Sequence, residues 1–368
     1  MKVIVISNYY MFHQSALWDE IDKHNDVDLT FLATCEVMGE DRKKMKYEEL
    51  RSDYLKESYL MSDEELEELF KDVDIVVSGS CEDKRVDVLR SKAPVVVALS
   101  EHPSRRHFFL LDQLAVMKFF LIDKKHYTKG EQYLLAMSSH SYLQFKHFGF
   151  KNHGYQFGYF PLLKVEEHER DPYSLIWFGR VMQLKRVDYA LYALKLLKQK
   201  DERYHLDIIG EGEYLDNIKK KANKMGLGDS VKYHGFMDHD GIMNALSAHS
   251  IHMFTSNIEE GWGVALNEGL ATGCICFANE KAGSTKFLVN ENNGLTFKNK
   301  RTLKKAVEKY LSMSESQISN MRKEANNSIN NLWDVKIAAN RLYEFFVSIY
   351  NHMDFDKYQS GPLSKIKE

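Results

Sequence analysis

The chain has 368 residues, 44% of them hydrophobic, and carries 50 Lys and Arg against 53 Asp and Glu, a net charge of −3. This length suggests two domains with a full core each, and the balanced charge gives no bulk attraction for nucleic acid, so we expect no such partner. Four cysteines are too few for a disulfide framework, and no apolar window is long enough for a membrane-spanning helix.

In the first half of the chain, short apolar runs alternate with helical patterns, which is typical of parallel-sheet α/β proteins. The first run is too short for a signal peptide, and reduced thiols are typical of the cytoplasm, where we expect the protein. Residues 40–61 are charged and non-periodic, which favours a long loop or an irregular helix. The predicted strands are residues 3–6, 29–32, 75–77, 95–99 and 134–137, and the predicted helices are 15–23, 63–70 and 84–90.

The second half repeats this alternation more regularly. Strands are predicted at 175–178, 206–209, 231–234, 251–254, 274–278 and 295–297, with helices at 187–198, 214–225, 241–248, after Trp262 and at the C-terminus. The polar stretch 164–172 is the best linker candidate. We therefore expect α/β domains at 1–164 and 165–335, each a doubly wound parallel sheet facing the other across a cleft, and a terminal helix and tail at 336–368 packing back towards the first domain.

The first predicted strand ends in an aromatic and polar turn, Ser7-Asn-Tyr-Tyr-Met-Phe-His13-Gln14. It lacks the G-x-G-x-x-G of nicotinamide and flavin sites. Such a turn suits an acceptor better than a pyrophosphate, so His13 and Gln14 are candidate acceptor-side residues. An ordinary helix-start role for His13 is equally open.

Three strands of the second half end in glycine turns, which let the backbone approach a ligand closely. The turns contain Gly179, then Gly210, Glu211 and Gly212, then Gly235, Phe236 and Met237. Arg180 and Lys185 follow the first turn as two cations that could neutralise a diphosphate without a metal ion. The alternative is a solvated charged loop.

A two-carboxylate segment, Glu260-Gly-Trp-Gly-Val-Ala-Leu-Asn-Glu268, follows the predicted strand 251–254. A strand that turns at glycine and enters a helix points main-chain N–H groups at the turn, where a phosphate can bind. Ionised carboxylates only accept hydrogen bonds and therefore suit sugar hydroxyls. The segment predicts a ligand that is both phosphorylated and hydroxylated, as a sugar nucleotide is.

Taken together, the glycine turns, the two cations and the two-glutamate segment resemble the retaining glycosyltransferases of the family-4 group, which have the GT-B fold of two Rossmann-like domains. The resemblance covers roughly residues 175–297, and the first domain matches only in layout. One position departs from it: Lys286 stands where relatives usually carry a glutamate.

The resemblance implies a role for each matching residue. Arg180 and Lys185 would hold the donor diphosphate, Glu260 the donor sugar and Glu268 the ribose. His102, at the end of the fourth strand, would face the donor sugar, which makes Glu260, Arg180, Lys185 and His102 the candidate catalytic residues. The remaining donor-binding candidates are Gly179, Gly210, Glu211, Gly212, Phe236, Met237, Gly261, Trp262, Gly263, Val264 and Ala265.

The implied activity is transfer of a sugar, with retained anomeric configuration, from a nucleoside-diphosphate sugar to a glycan or lipid-linked acceptor in bacterial surface polysaccharide or glycoconjugate synthesis. UDP is favoured over GDP because many relatives use it. No metal or other cofactor is expected, since the four D-x-D pairs lie at strand starts, at a helix cap around Asp238 or in the tail. The alternatives are an epimerase or phosphorylase on the same fold, and a non-catalytic binding subunit.

Segment 105–125 mixes cations with aromatic residues. It predicts a peripheral contact with an anionic membrane surface, on the inner face, where a lipid-linked acceptor would lie. The alternative is a buried helix whose ends are basic.

Overall fold

The computed structural model describes residues 1–37, 52–101, 131–145, 154–166 and 168–366, together with residues 114 and 117. The chain divides into two units. The first comprises Met1–Leu162 and Trp333–Glu368, and the second comprises Leu163–Leu332.

The first unit contains a seven-stranded sheet in the order β3-β2-β1-β4-β5-β6-β7, with all neighbours parallel. Its inner strands are short apolar runs with nearly every residue buried, as expected when helices cover both faces. The strands are β1 (Lys2–Ser7), β2 (Asp28–Ala33), β3 (Leu55–Glu57), β4 (Ile75–Ser78), β5 (Val95–Ser100), β6 (Glu131–Ala136) and β7 (Gly154–Gln156).

The second unit contains a six-stranded parallel sheet in the order β10-β9-β8-β11-β12-β13. Every residue of β11 and β12 is buried. The strands are β8 (Asp171–Phe178), β9 (His205–Ile209), β10 (Val231–Gly235), β11 (His249–Phe254), β12 (Ile275–Asn279) and β13 (Gly294–Phe297). Two doubly wound parallel-sheet domains were predicted, and this fold class is confirmed.

The helices, numbered over the described residues, pack on these sheets. They are α1 (Phe12–Asp22), α2 (Asp63–Phe70), α3 (Lys84–Arg90), α4 (Ser139–Phe145), α5 (Val187–Lys198), α6 (Leu215–Lys224), α7 (His239–Ala248), α8 (Ala265–Ala271), α9 (Thr285–Leu288), α10 (Lys300–Leu311), α11 (Glu315–Asn330) and α12 (Val335–Tyr350). Helix α2 begins with a capping box, because Ser62 and Glu65 each accept from the other's main-chain N–H. None of the helices in the described part of the chain is long and apolar enough to cross a membrane.

The last helix and the tail belong to the first unit. The ring of Tyr343 on α12 stacks on His24 with centroids 3.8 Å apart, and its hydroxyl donates to Asp26 at 2.8 Å. Further along, the Tyr155 hydroxyl donates to the carbonyl of Phe355 at 2.9 Å. These contacts attach α12 and the segment after it to the first unit by ring stacking and hydrogen bonds.

The sequence prediction missed the short strands β3 and β7 and placed the start of β8 too late. The stretch 40–61 was expected to be a loop or an irregular helix, but β3 and a 3-10 turn occupy Leu55–Glu57 and Ser58–Leu60. Strand β8 begins at Asp171, inside the predicted linker, because Pro172 is tolerated near the start of a strand. A three-residue edge strand such as β3 or β7 is too short to give an apolar run, so periodicity does not detect it.

Candidate functional site

The order of the second sheet reverses between β8 and β11, which are neighbours in space although β9 and β10 lie between them in sequence. Open parallel sheets bind ligands outside the carboxyl ends of their strands at such a switch point. The loops that follow β8 and β11 carry the predicted Arg180, Lys185 and Glu260. The topology therefore brings these residues to one edge of one sheet.

The three glycine turns of this edge are in direct contact. Gly179 donates its main-chain N–H to Ile209 at 3.0 Å, and Gly210 donates to Gly235 at 2.7 Å. Gly210 has φ +128°, and a Cβ there would lie 2.0 Å from the Gly179 carbonyl oxygen. A Cβ at Gly212 would similarly lie 2.3 Å from the carbonyl oxygen of Val181. The turns require glycine because no side chain fits between their backbones.

Lys185 and Glu260 form a direct ion pair between the Nζ and Oε2 atoms. Their side chains are only 24% and 15% exposed, respectively, so water screens the pair incompletely. Two hydrogen bonds tie the loops together behind it. The Thr255 hydroxyl donates to the Lys185 carbonyl at 2.6 Å, and the Asn257 N–H donates to the Leu184 carbonyl at 2.9 Å. The ammonium and the carboxylate are therefore held side by side by the main chain.

Arg180 differs from Lys185 in its surroundings. Its side chain is exposed, and it forms no ion pair with any residue that the structure describes. An exposed guanidinium at the switch point has five donors in a planar fork, which suits bidentate contact with a phosphate group. Of the two predicted cations, Lys185 is paired with Glu260, whereas Arg180 has no ion-pair partner among the described residues.

The turn that follows Glu260 is shaped by its packing. Trp262 is 1% exposed and donates from Nε1 to the Asn267 side chain at 2.9 Å, so its ring anchors the turn from inside. Gly263 has φ +87°, and a Cβ there would lie 2.5 Å from the Phe254 ring. Among the predicted donor residues 261–265, Trp262 therefore offers a ligand its main chain rather than its side chain.

Glu268 lies on α8, is 7% exposed, and has a histidine partner that the sequence did not reveal. His239, in the first turn of α7, places Nε2 at 3.2 Å from Glu268 Oε1. The hydrogen bond to this carboxylate raises the pKa of His239 above its ordinary value. The sequence did give one indication of where His239 lies, because His239 directly follows Asp238, which was predicted to cap this helix. The cap is confirmed, since the Asp238 side chain accepts from the Gly241 N–H at 2.9 Å.

The remaining predicted donor residues lie at the tips of the glycine turns. Phe236, directly after β10, is 81% exposed, and Glu211 is exposed beside Gly235. An exposed aromatic ring next to an exposed carboxylate offers a stacking face and an acceptor of hydrogen bonds, both of which suit a nucleobase. Lys286, the departure from the family pattern, is exposed on α9.

In the first unit, His13 and Gln14 lie in the first turn of α1, directly after β1 and beside the switch point between β1 and β4. His13 meets the Tyr159 ring edge-on at 4.3 Å, and burial lowers its pKa to about 4, so the imidazole is neutral at pH 7. The buried Oε1 of Gln14 has no hydrogen-bond partner among the described residues. His102 and most of segment 105–125 lie outside the described residues, and their roles stay predictions.

Comparison with known proteins finds a family resemblance in the second unit. Residues 162–328 match the family model described as glycosyl transferases group 1. Over 133 residues the chain is 23% identical to the UDP-N-acetylglucosamine–peptide N-acetylglucosaminyltransferase GtfA subunit of Streptococcus gordonii. The aligned stretch is 36% of this chain and 26% of that protein. Over 137 residues it is 26% identical to the amylovoran biosynthesis glycosyltransferase AmsK of Erwinia amylovora, covering 36% and 34%.

The match to these curated relatives spans about a quarter to a third of their length. The fold extends further. The crystal structure of HepE from Anabaena in complex with UDP superposes with a TM-score of 0.68 at 14% identity, covering 95% of this chain and 100% of that one. Residues 162–328 thus resemble the glycosyl transferases group 1 family, and the two Rossmann-like units have the GT-B fold that the sequence motifs implied.

Proposed function

We propose that this chain is a retaining, metal-independent glycosyltransferase that moves a sugar from a UDP-sugar to a glycan or lipid-linked acceptor. The family match supports sugar transfer in general. The UDP bound by HepE and the UDP-sugar named for GtfA favour UDP over other nucleotides, and the amylovoran synthesis named for AmsK favours a polysaccharide product.

The observation that carries the proposal is the content of the β8–β11 switch point. One exposed guanidinium, one ammonium–carboxylate pair and one buried carboxylate lie on the loops and the helix that follow β8 and β11, beside the glycine turns. Cations at a close-approach backbone fit a diphosphate, and carboxylates fit the hydroxyls of a sugar and a ribose. A nucleoside-diphosphate sugar has these groups in one molecule.

In this reaction the bond between the sugar C1 and the phosphate oxygen breaks while the acceptor oxygen bonds to C1 from the same face. The acceptor proton passes to the departing phosphate oxygen, so atoms and charges balance without a further reactant. Arg180 and Lys185 stabilise the negative charge that grows on the nucleoside diphosphate. Glu260 holds a donor-sugar hydroxyl and keeps Lys185 oriented through their ion pair.

The test is a panel of UDP-, GDP- and ADP-sugars, each assayed for binding and for slow donor hydrolysis, with and without EDTA. We expect one UDP-sugar to be bound and hydrolysed, with a rate that EDTA leaves unchanged. Product analysis with an acceptor then separates a transferase, which leaves the sugar on a second molecule, from an epimerase or a phosphorylase. A protein that binds none of the panel would overturn the proposal.

Two substitutions test the separate roles of the glutamates. Glu260→Ala should chiefly slow the reaction, while Glu268→Ala should chiefly weaken donor binding. Glu291→Ala is the matched control. Glu291 is an exposed carboxylate of the same unit and lies in the loop between α9 and β13. If Glu260→Ala reacts as fast as the unsubstituted protein, a non-catalytic subunit becomes the better explanation.

A further inference from the structure

The carboxylate of Glu268 is held from a neighbouring helix by a single imidazole. His239 begins α7, Glu268 lies in the middle of α8, and their side chains meet with Nε2 3.2 Å from Oε1. Glu268 is 7% exposed, and no other described side chain donates to it. The orientation of this buried carboxylate therefore depends on one contact.

The contact leaves part of the carboxylate available. Oε1 accepts from the imidazole, whereas Oε2 accepts from no described residue. A carboxylate has about four lone-pair sites, so Oε2 can still accept hydrogen bonds from two adjacent hydroxyls. A charge-assisted hydrogen bond is also stronger than a neutral one, which makes His239 an effective clamp when it carries a proton.

The groups facing His239 favour the protonated form. Besides Glu268, the carboxylates of Asp238 and Asp240 on its own helix act on it, and all three raise its pKa while partial burial lowers it. The hydrogen bond to Glu268 is the largest of these effects, so the imidazole binds its proton more tightly than a free histidine does.

We propose that His239 is a positioning residue that holds Glu268 in the orientation needed to bind the ribose hydroxyls of a nucleoside diphosphate. This inference rests on the proposed function and deepens it, because neither the sequence motifs nor the comparisons assign a role to His239. It predicts that the effect of His239 on ligand binding passes entirely through the ribose hydroxyls.

The experiment measures calorimetric affinity for UDP and for 2′,3′-dideoxy-UDP, with GDP and its dideoxy form in parallel. We expect His239→Ala to weaken UDP binding roughly 10-fold, the size of one charge-assisted hydrogen bond. The same substitution should leave the affinity for dideoxy-UDP unchanged, because that ligand has no hydroxyls for Glu268. His239→Gln should restore most of the loss, since its amide N–H can donate to Oε1.

The matched control is His205→Ala. His205 is also a histidine of the second unit with a carboxylate partner, Asp171 at 3.6 Å, but both residues begin their strands and so lie at the opposite edge of the sheet. We expect its removal to change neither affinity. Thermal unfolding of each variant checks that the fold is intact, which is expected because His239 is partly exposed.

The outcomes separate this inference from the proposed function. If the unsubstituted protein binds UDP but His239→Ala binds it equally well, or loses UDP and dideoxy-UDP affinity alike, the positioning role is wrong and the proposed function stands. If the unsubstituted protein binds neither UDP nor GDP, the proposed function fails and this inference fails with it.

Discussion

The two units share one architecture but differ in what their loops carry at the switch point. The second unit presents Arg180 and the Lys185–Glu260 pair beside β8 and β11. The first unit presents His13, which burial keeps neutral, and Gln14 after β1. The two units therefore share a sheet order, while their candidate residues are charged in the second unit and neutral in the first.

The backbones at the two edges differ as well. Among the described glycines with φ between +20° and +160°, seven lie in the second unit and one, Gly361, lies in the first. Positive φ lets a chain turn tightly enough for two loops to touch, as those of Gly179 and Gly210 do. Charge and tight turns, rather than topology, distinguish the unit that matches the glycosyl transferases group 1 model.

The sharpest way to break this comparison is to remove the exposed cation of the second unit. We expect Arg180→Ala to lower the turnover of a UDP-sugar about 100- to 1,000-fold, or ~3–4 kcal/mol, because the charge on the departing diphosphate loses its donor. The measurement is steady-state kinetics at saturating donor. Lys224→Ala, at the far end of α6, removes an equally exposed cation from the same unit and should leave turnover unchanged.

An Arg180→Ala variant as active as the Lys224→Ala control would show that the second unit has no use for this charge. Arg180 would then be the solvated loop residue that the sequence left open. The contrast between the units would rest on the Lys185–Glu260 pair alone.

The glycine contacts give the next effect, on stability. We expect Gly210→Ala to lower the free energy of unfolding by ~3 kcal/mol, since its Cβ would lie 2.0 Å from a carbonyl oxygen in a backbone conformation that L-residues avoid. Gly226→Ala is the matched control: Gly226 also has positive φ, +71°, but a Cβ there meets nothing within 4 Å. Its cost should be only about 1 kcal/mol.

Denaturant unfolding of both variants measures the difference. Equal losses would mean that backbone strain alone makes glycine necessary at position 210. A larger loss for Gly210→Ala would support the close contact between the turns after β8 and β9.

Much of the second unit could be predicted from sequence because its signals are local. The helix 187–198 was predicted with its observed bounds, and the glycine turns were recognised because each follows directly on an apolar strand. Apolar runs, glycines and caps report on the few residues around them, so periodicity is enough to find them.

The pairings across the site could not be predicted in the same way. Lys185 and Glu260 are 75 residues apart, and His239 and Glu268 are 29 residues apart. Each pair forms because the order of the strands brings distant segments together. Local sequence patterns do not report that order. The sequence indicated candidate side chains for the site, while the sheet topology decides which side chains meet.

Acid stability offers a third test, based on a buried histidine in each unit. His252 on β11 is fully enclosed, stacks on Phe178 with centroids 5.0 Å apart, and has its pKa lowered to about 3 by burial. Below about pH 6.5 the imidazole binds a proton in the unfolded chain but not in the folded one, because its folded pKa is much lower. The free energy of unfolding therefore falls as the pH decreases below about 6.5, whereas above that pH His252 costs no stability. Between pH 6.5 and 4 the loss should reach about 3 kcal/mol.

The measurement is urea unfolding from pH 7 to 4 for the unsubstituted protein and for His252→Gln, which has no ionisable group. The variant should lose some stability at every pH through poorer packing, but its decline with acid should be shallower. His13→Gln in the first unit should reduce the decline less, because the pKa of His13 is about 4. Parallel pH profiles for the unsubstituted protein and His252→Gln would contradict the assignment.

The smallest expected effect concerns the Thr255 hydrogen bonds that connect the two loops behind the Lys185–Glu260 pair. Thr255 accepts from Trp177 Nε1 at 3.0 Å and donates to the Lys185 carbonyl at 2.6 Å, so Thr255→Val leaves two polar groups without their partner. We expect a loss of about 1–2 kcal/mol in the free energy of unfolding. The control is Thr30→Val in β2, which is also a buried threonine but lies in the first unit. If Thr255 positions the ammonium of Lys185, Thr255→Val should lower turnover by more than Thr30→Val does under conditions in which both variants are folded. Equal turnover in the two variants would mean that the Thr255 hydrogen bonds serve stability alone.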